Sequence, residues 1–209
     1  MTSRLFLCAI VALLCGISSS WAQSFSISTN IPSLLTGNIN IEPSIGLGSR
    51  VSLQLSLQVK PFKFGIPLPT GLIHTAYHNA KLDSKDRFDW STVEHTENAT
   101  FTPSLRYWAK GTYNRGLFFG LHGVASIYKY GLDKFDRNYS KGFLYGGGLS
   151  AGYSHELSTH WNIEAELGAS VVYTQYDLLN ARDVVLRKDM TRTLILPTRV
   201  SLSLVYVLL

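Results

Sequence analysis

Between residues 161 and 176 the chain reads WNIEAELGASVVYTQY, and its apolar and polar positions alternate. Trp161, Ile163, Ala165, Leu167, Ala169, Val171 and Tyr173 share one face; Asn162, Glu164, Glu166, Gly168, Ser170 and Thr174 share the other. A period of two is that of a β-strand. The run is longer than a soluble sheet usually needs, whereas roughly 9 to 11 tilted residues cross a bilayer as one stave of a barrel. The pattern therefore predicts a strand with its apolar row toward lipid and its carboxylates toward an interior.

The same period recurs along the chain. FSISTNI (25–31) sets Phe25, Ile27 and Ile31 against Ser26, Ser28 and Asn30 before Pro32 and Gly37 turn the chain. NINIEPSIGLG (38–48) sets Ile39, Ile41, Ile45 and Leu47 against Asn40, Glu42 and Ser44; Pro43, which has no N–H to donate, predicts weak local pairing. After the turn Gly48-Ser49-Arg50, VSLQLSLQV (51–59) alternates without a fault. TFTPSLRYWA (100–109) and GLFFGLHGVASIYKY (116–130) predict a hairpin that places Arg106, Trp108 and His122 on its polar side. In GFLYGGGLSAGYSHEL, Gly146, Gly148 and Gly152 share a face with Ser150 and Ser154, which predicts close quarters filled by Arg106 and Trp108. The last strand alternates Val200, Leu202, Leu204, Tyr206 and Leu208 with Arg199, Ser201 and Ser203.

Connections are expected to be short near residues 49, 113 and 158, and long at 60–98, 131–141 and 177–190. That rhythm predicts an all-β fold, an antiparallel up-and-down transmembrane β-barrel of about eight strands. Periodicity alone leaves one alternative open, a soluble lipocalin-like carrier with the apolar faces inward.

Composition narrows the setting. The chain has 209 residues, 45% hydrophobic and 16% charged, enough for one domain. Beyond the N-terminus no run of eighteen apolar residues predicts a helical span. Residues 1–22 read as a signal peptide: Arg4, the apolar core LFLCAIVALLCGI, and Ser20-Trp21-Ala22 before Gln23. The mature domain is then 23–209, located in the cell outer membrane. Cys8 and Cys15 both fall inside the leader, so disulfides, cysteine nucleophiles and thiolate metal sites are not expected after cleavage. A net charge of +5 is scattered through turns and loops, which argues against nucleic-acid binding.

Several motifs taken together carry a family resemblance. Ser28-Thr29-Asn30, Asn40-Ile41-Glu42, Leu105-Arg106-Tyr107-Trp108, Phe118-Phe119-Gly120-Leu121-His122, the glycine strand ending Gly152-Tyr153, Trp161 through Gly168, and Pro197-Thr198 follow one another across most of the mature chain. In order and spacing they resemble an uncharacterised outer-membrane family common in Bacteroidetes, the domain of unknown function numbered 3575. The resemblance implies an outer-membrane β-barrel and supplies no activity. Where the family usually has a Glu after the Pro of the Arg-Tyr-Trp motif, Ser104 stands here, so one interior carboxylate is missing.

Turning the polar faces inward collects Glu42, Arg106, His122, Glu164, Glu166 and Arg199 in one lumen. Unpaired buried charge is costly, so these groups are expected to form a salt-bridged plug. The function expected is non-enzymatic, structural or surface-interacting, in a porin-like barrel. The alternative from another class is an outer-membrane lipid-modifying hydrolase. For that, Ser154 and His155 point to opposite faces as strand neighbours, whereas His122 and Ser126 share one.

His74, His78, Asp83, Asp86, Asp89, Glu94 and His95 cluster in the long loop, but their spacing matches no metal motif and they read as a solvated loop. Tyr128, Tyr130, Phe143, Tyr173 and Tyr176 toward one end, with Tyr107, Tyr153, Trp161 and Tyr206 toward the other, predict two aromatic girdles. No cofactor and no metal are expected. The expected partners are outer-membrane lipids and other envelope or surface proteins, with the chain a monomer.

Overall fold

A computed structural model describes residues 25–61 and 65–208. The signal peptide expected at 1–22, with both cysteines, lies outside the described residues. Among the described residues there are ten strands: β1 (Phe25–Asn30), β2 (Ile39–Gly46), β3 (Val51–Lys60), β4 (Ile66–Leu68), β5 (Ser91–Val93), β6 (Asn98–Trp108), β7 (Gly116–Gly131), β8 (Asn138–Glu156), β9 (Trp161–Asn180) and β10 (Val185–Leu208). Two short helices, α1 (Ile31–Leu35) and α2 (Thr70–Tyr77), occupy connections.

Eight strands form a closed ring in the order β1-β10-β9-β8-β7-β6-β3-β2, every pair antiparallel. Closure is made by β1 against β10, from Phe25 opposite Leu208 to Asn30 opposite Ser203. Because each strand of the ring lies beside its sequence neighbour, no connection has to cross the interior. Pro43 sits within β2, and the ladder to β3 keeps one register on both sides of it.

Side-chain alternation divides the two faces. Ser26, Ser28, Glu42, Ser52, Gln54, Arg106, Glu164 and Glu166 are buried inside. Leu149 and Leu167 stand outside with 70% and 68% of their surface exposed, amid a belt of other large apolar side chains. This is the reverse of the lipocalin-like arrangement, whose apolar faces would point inward. Among the described residues no helix is long and apolar enough to cross a membrane, which says nothing about crossing by strands.

Two of the expected loops are mostly strand. β8 begins at Asn138, β9 continues to Asn180 and β10 resumes at Val185, leaving brief connections where 131–141 and 177–190 were expected. The reason is pairing: Asn138 through Lys141 already ladder to Asp177 through Asn180, so polar residues there still satisfy their backbone groups. Strands of 19, 20 and 24 residues result, about twice what a tilted bilayer crossing uses, and their surplus rises as a wall on one side of the ring. The 60–98 segment is likewise more than a loop. It folds β4 against β5 and sets α2 between them, forming a cap beside that wall.

One irregularity matters for the interior. Leu196 pairs with Ser170 but Arg199 pairs with Gly168, so β10 uses three residues where β9 uses two. This bulge at Pro197-Thr198 reverses the phase of β10. Arg192, Leu194 and Leu196 line cavity space on the cap side of it; Arg199, Ser201 and Ser203 point into the ring on the other.

Candidate functional site

The interior is held by a charge network spanning the ring. Arg106 on β6 reaches across to β9, placing Nη1 2.9 Å from Glu164 Oε1 and Nη2 2.5 Å from Glu166 Oε2. Arg199 on β10 places Nη2 2.7 Å from the same Glu166 oxygen and Nη1 3.4 Å from Glu42 Oε1. Glu42 is tied to its own side of the ring, accepting hydrogen bonds from Ser56 Oγ at 2.8 Å and Gln54 Nε2 at 3.3 Å. Gln54 closes the circuit by accepting from Arg199 Nη2 at 2.6 Å. All five charged residues are at most 5% exposed. With three carboxylates facing two guanidiniums, the formal charge of this set is negative by one when all ionise. An eight-stranded interior is only wide enough for side chains to fill it, and here charged side chains do so.

His122, the sixth expected member, is also buried inside but keeps different company. Its Nε2 lies 2.9 Å from both Ser170 Oγ and Thr198 Oγ1, which are 2.6 Å from each other. Its Nδ1 has no hydrogen-bond partner among the described residues. A triad would place a carboxylate there to orient the ring, so the histidine–hydroxyl contact lacks the third member. Ser126, which shares a face with His122, meets Thr100 Oγ1 at 2.7 Å. Ser154 donates to the Asn114 carbonyl inside the ring while His155 is exposed outside.

The glycine face of β8 is filled differently from the expectation. A Cβ on Gly152 would lie 2.3 Å from Phe118 Cζ and 2.6 Å from the Ala165 carbonyl oxygen. Phe118 therefore takes the space assigned to Arg106 and Trp108. Those two pack on Phe118 instead: the Trp108 ring centroid is 4.8 Å away, and Arg106 Cζ sits 4.5 Å over the phenyl face. Trp108 also donates from Nε1 to Ser52 Oγ at 2.9 Å.

Above the network the interior opens. A polar chamber of about 350 Å³ is bounded below by Glu42 and Arg199 and lined by Asn30, Thr100, Ser126 and Ser201. It shares Asn98, Leu144 and Pro197 with a larger chamber of about 520 Å³ beneath the cap. The cap is fastened over that chamber by several bonds. His74 Nε2 lies 2.7 Å from Asp133 Oδ2, Tyr77 donates its hydroxyl to the Ile195 carbonyl at 3.0 Å, and Arg192 Nη1 donates to the Tyr77 carbonyl at 2.7 Å. A Lys134–Asp89 ion pair joins the cap to the β7–β8 connection.

These contacts correct two expectations. His74 is buried against Asp133 rather than solvated in a loop. Of the aromatic residues expected as one girdle, Phe143 and Tyr173 do face outward, but Tyr128, Tyr130 and Tyr176 line the chamber under the cap. Their even numbering on β7 and β9 puts them in the inward phase, as it does Glu164. The other set, Tyr107, Tyr153, Trp161 and Tyr206, is exposed on the outer face.

Sequence reasoning placed Ser28, Gln54 and Ser56 in the polar phase of their strands without assigning them to the network. The available signal was that shared phase with Glu42. Their convergence on Glu42 depends on β1, β2 and β3 being neighbours in the ring.

The profile of a family described as "Protein of unknown function (DUF3575)" matches residues 6–208. No curated protein and no solved structure matches the chain.

Proposed function

We propose, starting from the chain's membership of the DUF3575 family, that this protein is an outer-membrane β-barrel with a structural or surface-interaction role, its lumen closed by the charge network. The observation that carries the reading is the inverted polarity of the ring. Large apolar side chains are exposed around the outside while Glu42, Arg106, Glu164, Glu166 and Arg199 are buried within. A ring turned this way in water would leave an apolar surface far beyond the few hundred Å² that soluble monomers ordinarily tolerate; in a bilayer the same surface is solvated by lipid.

The protein is exported, acts as a monomer and is not an enzyme on this reading. Support for the last point is the missing carboxylate behind His122 and the burial of Ser170. The raised wall of β7–β10 and the cap from 65 to 95 would face the cell exterior, where longer connections of such barrels lie. Partners would be outer-membrane lipids and other surface proteins met by that wall.

The test is membrane fractionation coupled to a gel-shift assay. Recovery in the outer membrane, with a compact unheated form that migrates differently after boiling, supports the proposal. Recovery as a soluble periplasmic protein overturns it.

A further inference from the structure

The chamber beneath the cap has the build of a ligand site, and we infer that it binds a single-chain amphiphile carrying a carboxylate head. Its volume of about 520 Å³ falls within the roughly 300 to 1,000 Å³ typical of small-molecule pockets. Leu68 and Ile73 of the cap face Tyr128, Leu144, Leu194 and Leu196 of the wall. Elsewhere the inner phase of the ring is mostly Ser, Thr, Gln and charged groups, although Trp108, Phe118, Val124 and Val172 are also buried inside it. The β10 bulge adds Leu194 and Leu196 to the apolar lining of the chamber, because the phase reversal turns them toward it instead of the exterior.

The head-group end is set by a second observation. A smaller space of about 130 Å³ adjoins the apolar chamber, and the two share His78, Tyr130, Tyr176 and Arg192. The Tyr130 hydroxyl is buried there with no hydrogen-bond partner among the described residues. A buried hydroxyl left unsatisfied is unfavourable, and an acceptor brought by a ligand would satisfy it. Arg192 supplies the charge. One of its Nη atoms donates to the Tyr77 carbonyl, and no carboxylate lies within ion-pair distance of the guanidinium among the described residues.

Two acidic residues also border the smaller space, Asp133 and Asp136. Both are engaged: Asp133 holds His74 and the N–H groups of Phe135 and Asp136, and Asp136 accepts from the Asn138 N–H. A carboxylate head directed at Arg192 and Tyr130 thus meets a cation and an open donor. The alkyl chain then lies along Leu194, Leu196 and Leu144 toward the polar chamber, and the charge network below makes the cavity a blind well.

The experiment uses the full mature chain trapped in amphipol, so that no detergent monomer competes for the chamber. Binding of the fluorescent fatty acid cis-parinaric acid is titrated, with its methyl ester and dodecyltrimethylammonium as competitors. Wild type should show saturable one-site binding, displaced by a long-chain carboxylate and not by the ammonium amphiphile. Leu194→Trp, which fills the chamber, should weaken binding by at least tenfold. Arg192→Gln should weaken the acid by at least fivefold while leaving the ester unchanged. Absence of saturable binding, equal binding in Leu194→Trp, or displacement by the ammonium probe would overturn the inference. The measurement does not depend on where in the cell the protein resides, so its failure is distinguishable from failure of the outer-membrane reading.

Discussion

Arg106 Nη2 and Glu166 Oε2 stand 2.5 Å apart across the interior of the ring, with β7 and β8 between their strands along the wall. Arg106 is also the direct ion-pair partner of Glu164. Removing it leaves Glu164 without that contact and Glu166 with Arg199 alone. Arg106→Ala should therefore cost about 3 to 5 kcal/mol, the range for breaking a buried pair from one side. Urea unfolding in lipid vesicles reads the loss, and Glu164→Gln added to Arg106→Ala should restore part of it. If Arg106→Ala unfolds at the wild-type urea concentration and planar-bilayer conductance is also unchanged, the interior role assigned to Arg106 is wrong.

Arg115 and Glu156 make a contact of the same length, 2.5 Å, but at 56% and 36% side-chain exposure. Solvent screens such a pair, so Arg115→Ala should change stability by only about 0 to 1 kcal/mol. A loss comparable to that of Arg106→Ala would show that burial does not separate the two sites.

Phe118 occupies the space a side chain on Gly152 would need. Gly152→Val should destabilise by about 1 to 3 kcal/mol through overpacking. In a double-mutant cycle, Phe118→Ala should recover the share owed to the ring and leave the share owed to the Ala165 carbonyl. Strict additivity of the two substitutions would exclude the contact.

On the outer face, Leu149→Arg puts a charge where 70% of the leucine is exposed. In water such a change is nearly neutral, but near a bilayer midplane it costs about 2 to 4 kcal/mol. Comparing vesicle-inserted stability of Leu149→Arg with wild type tests the membrane reading through a single residue. Equal stabilities would count against it.

His78 follows α2 in the cap, and burial first, then the nearby His74 and Arg192, lowers its pKa against the opposing pull of Asp136 and Asp133. The released cap then binds more protons than the docked one once pH drops below the ordinary histidine value near 6.5. By linkage, docking should weaken on acidification through that window and be fully present above it. Hydrogen exchange of residues 70–95, corrected for the intrinsic rate, should accelerate at about pH 5.5 relative to about 7.5. His78→Gln should flatten the dependence, and an unchanged slope would assign it to another group.

Much of this architecture was legible from alternation. The inward phase of β9 places Glu164 and Glu166 on the same wall whatever the neighbours are, because successive side chains on a strand take opposite faces. Likewise the phases of β2, β6 and β10 put Glu42, Arg106 and Arg199 on the polar faces of their strands, and the closed ring turns those faces inward. Where alternation was weak, boundaries were missed. Lys141 and Asp177 are polar residues in paired strands, and their ladder at the top of β8 and β9 is invisible to a reading keyed on apolar rows.

The sequence by itself determined the two-faced strands and which charges share the polar face of each, since both follow from a period of two read locally; that these faces turn inward is decided by ring closure. Only the tertiary structure decided the pairings. Arg106 with Glu166, Arg199 with Gln54, and His122 with Ser170 and Thr198 arise from ring closure and register, which bring together strands remote in the chain. It also decided that Tyr128, Tyr130 and Tyr176 turn inward beneath a folded cap, and that Leu194 and Leu196 join them. A bulge of one residue in β10 reverses every side chain beyond it, and nothing in the alternation before Pro197 announces that reversal.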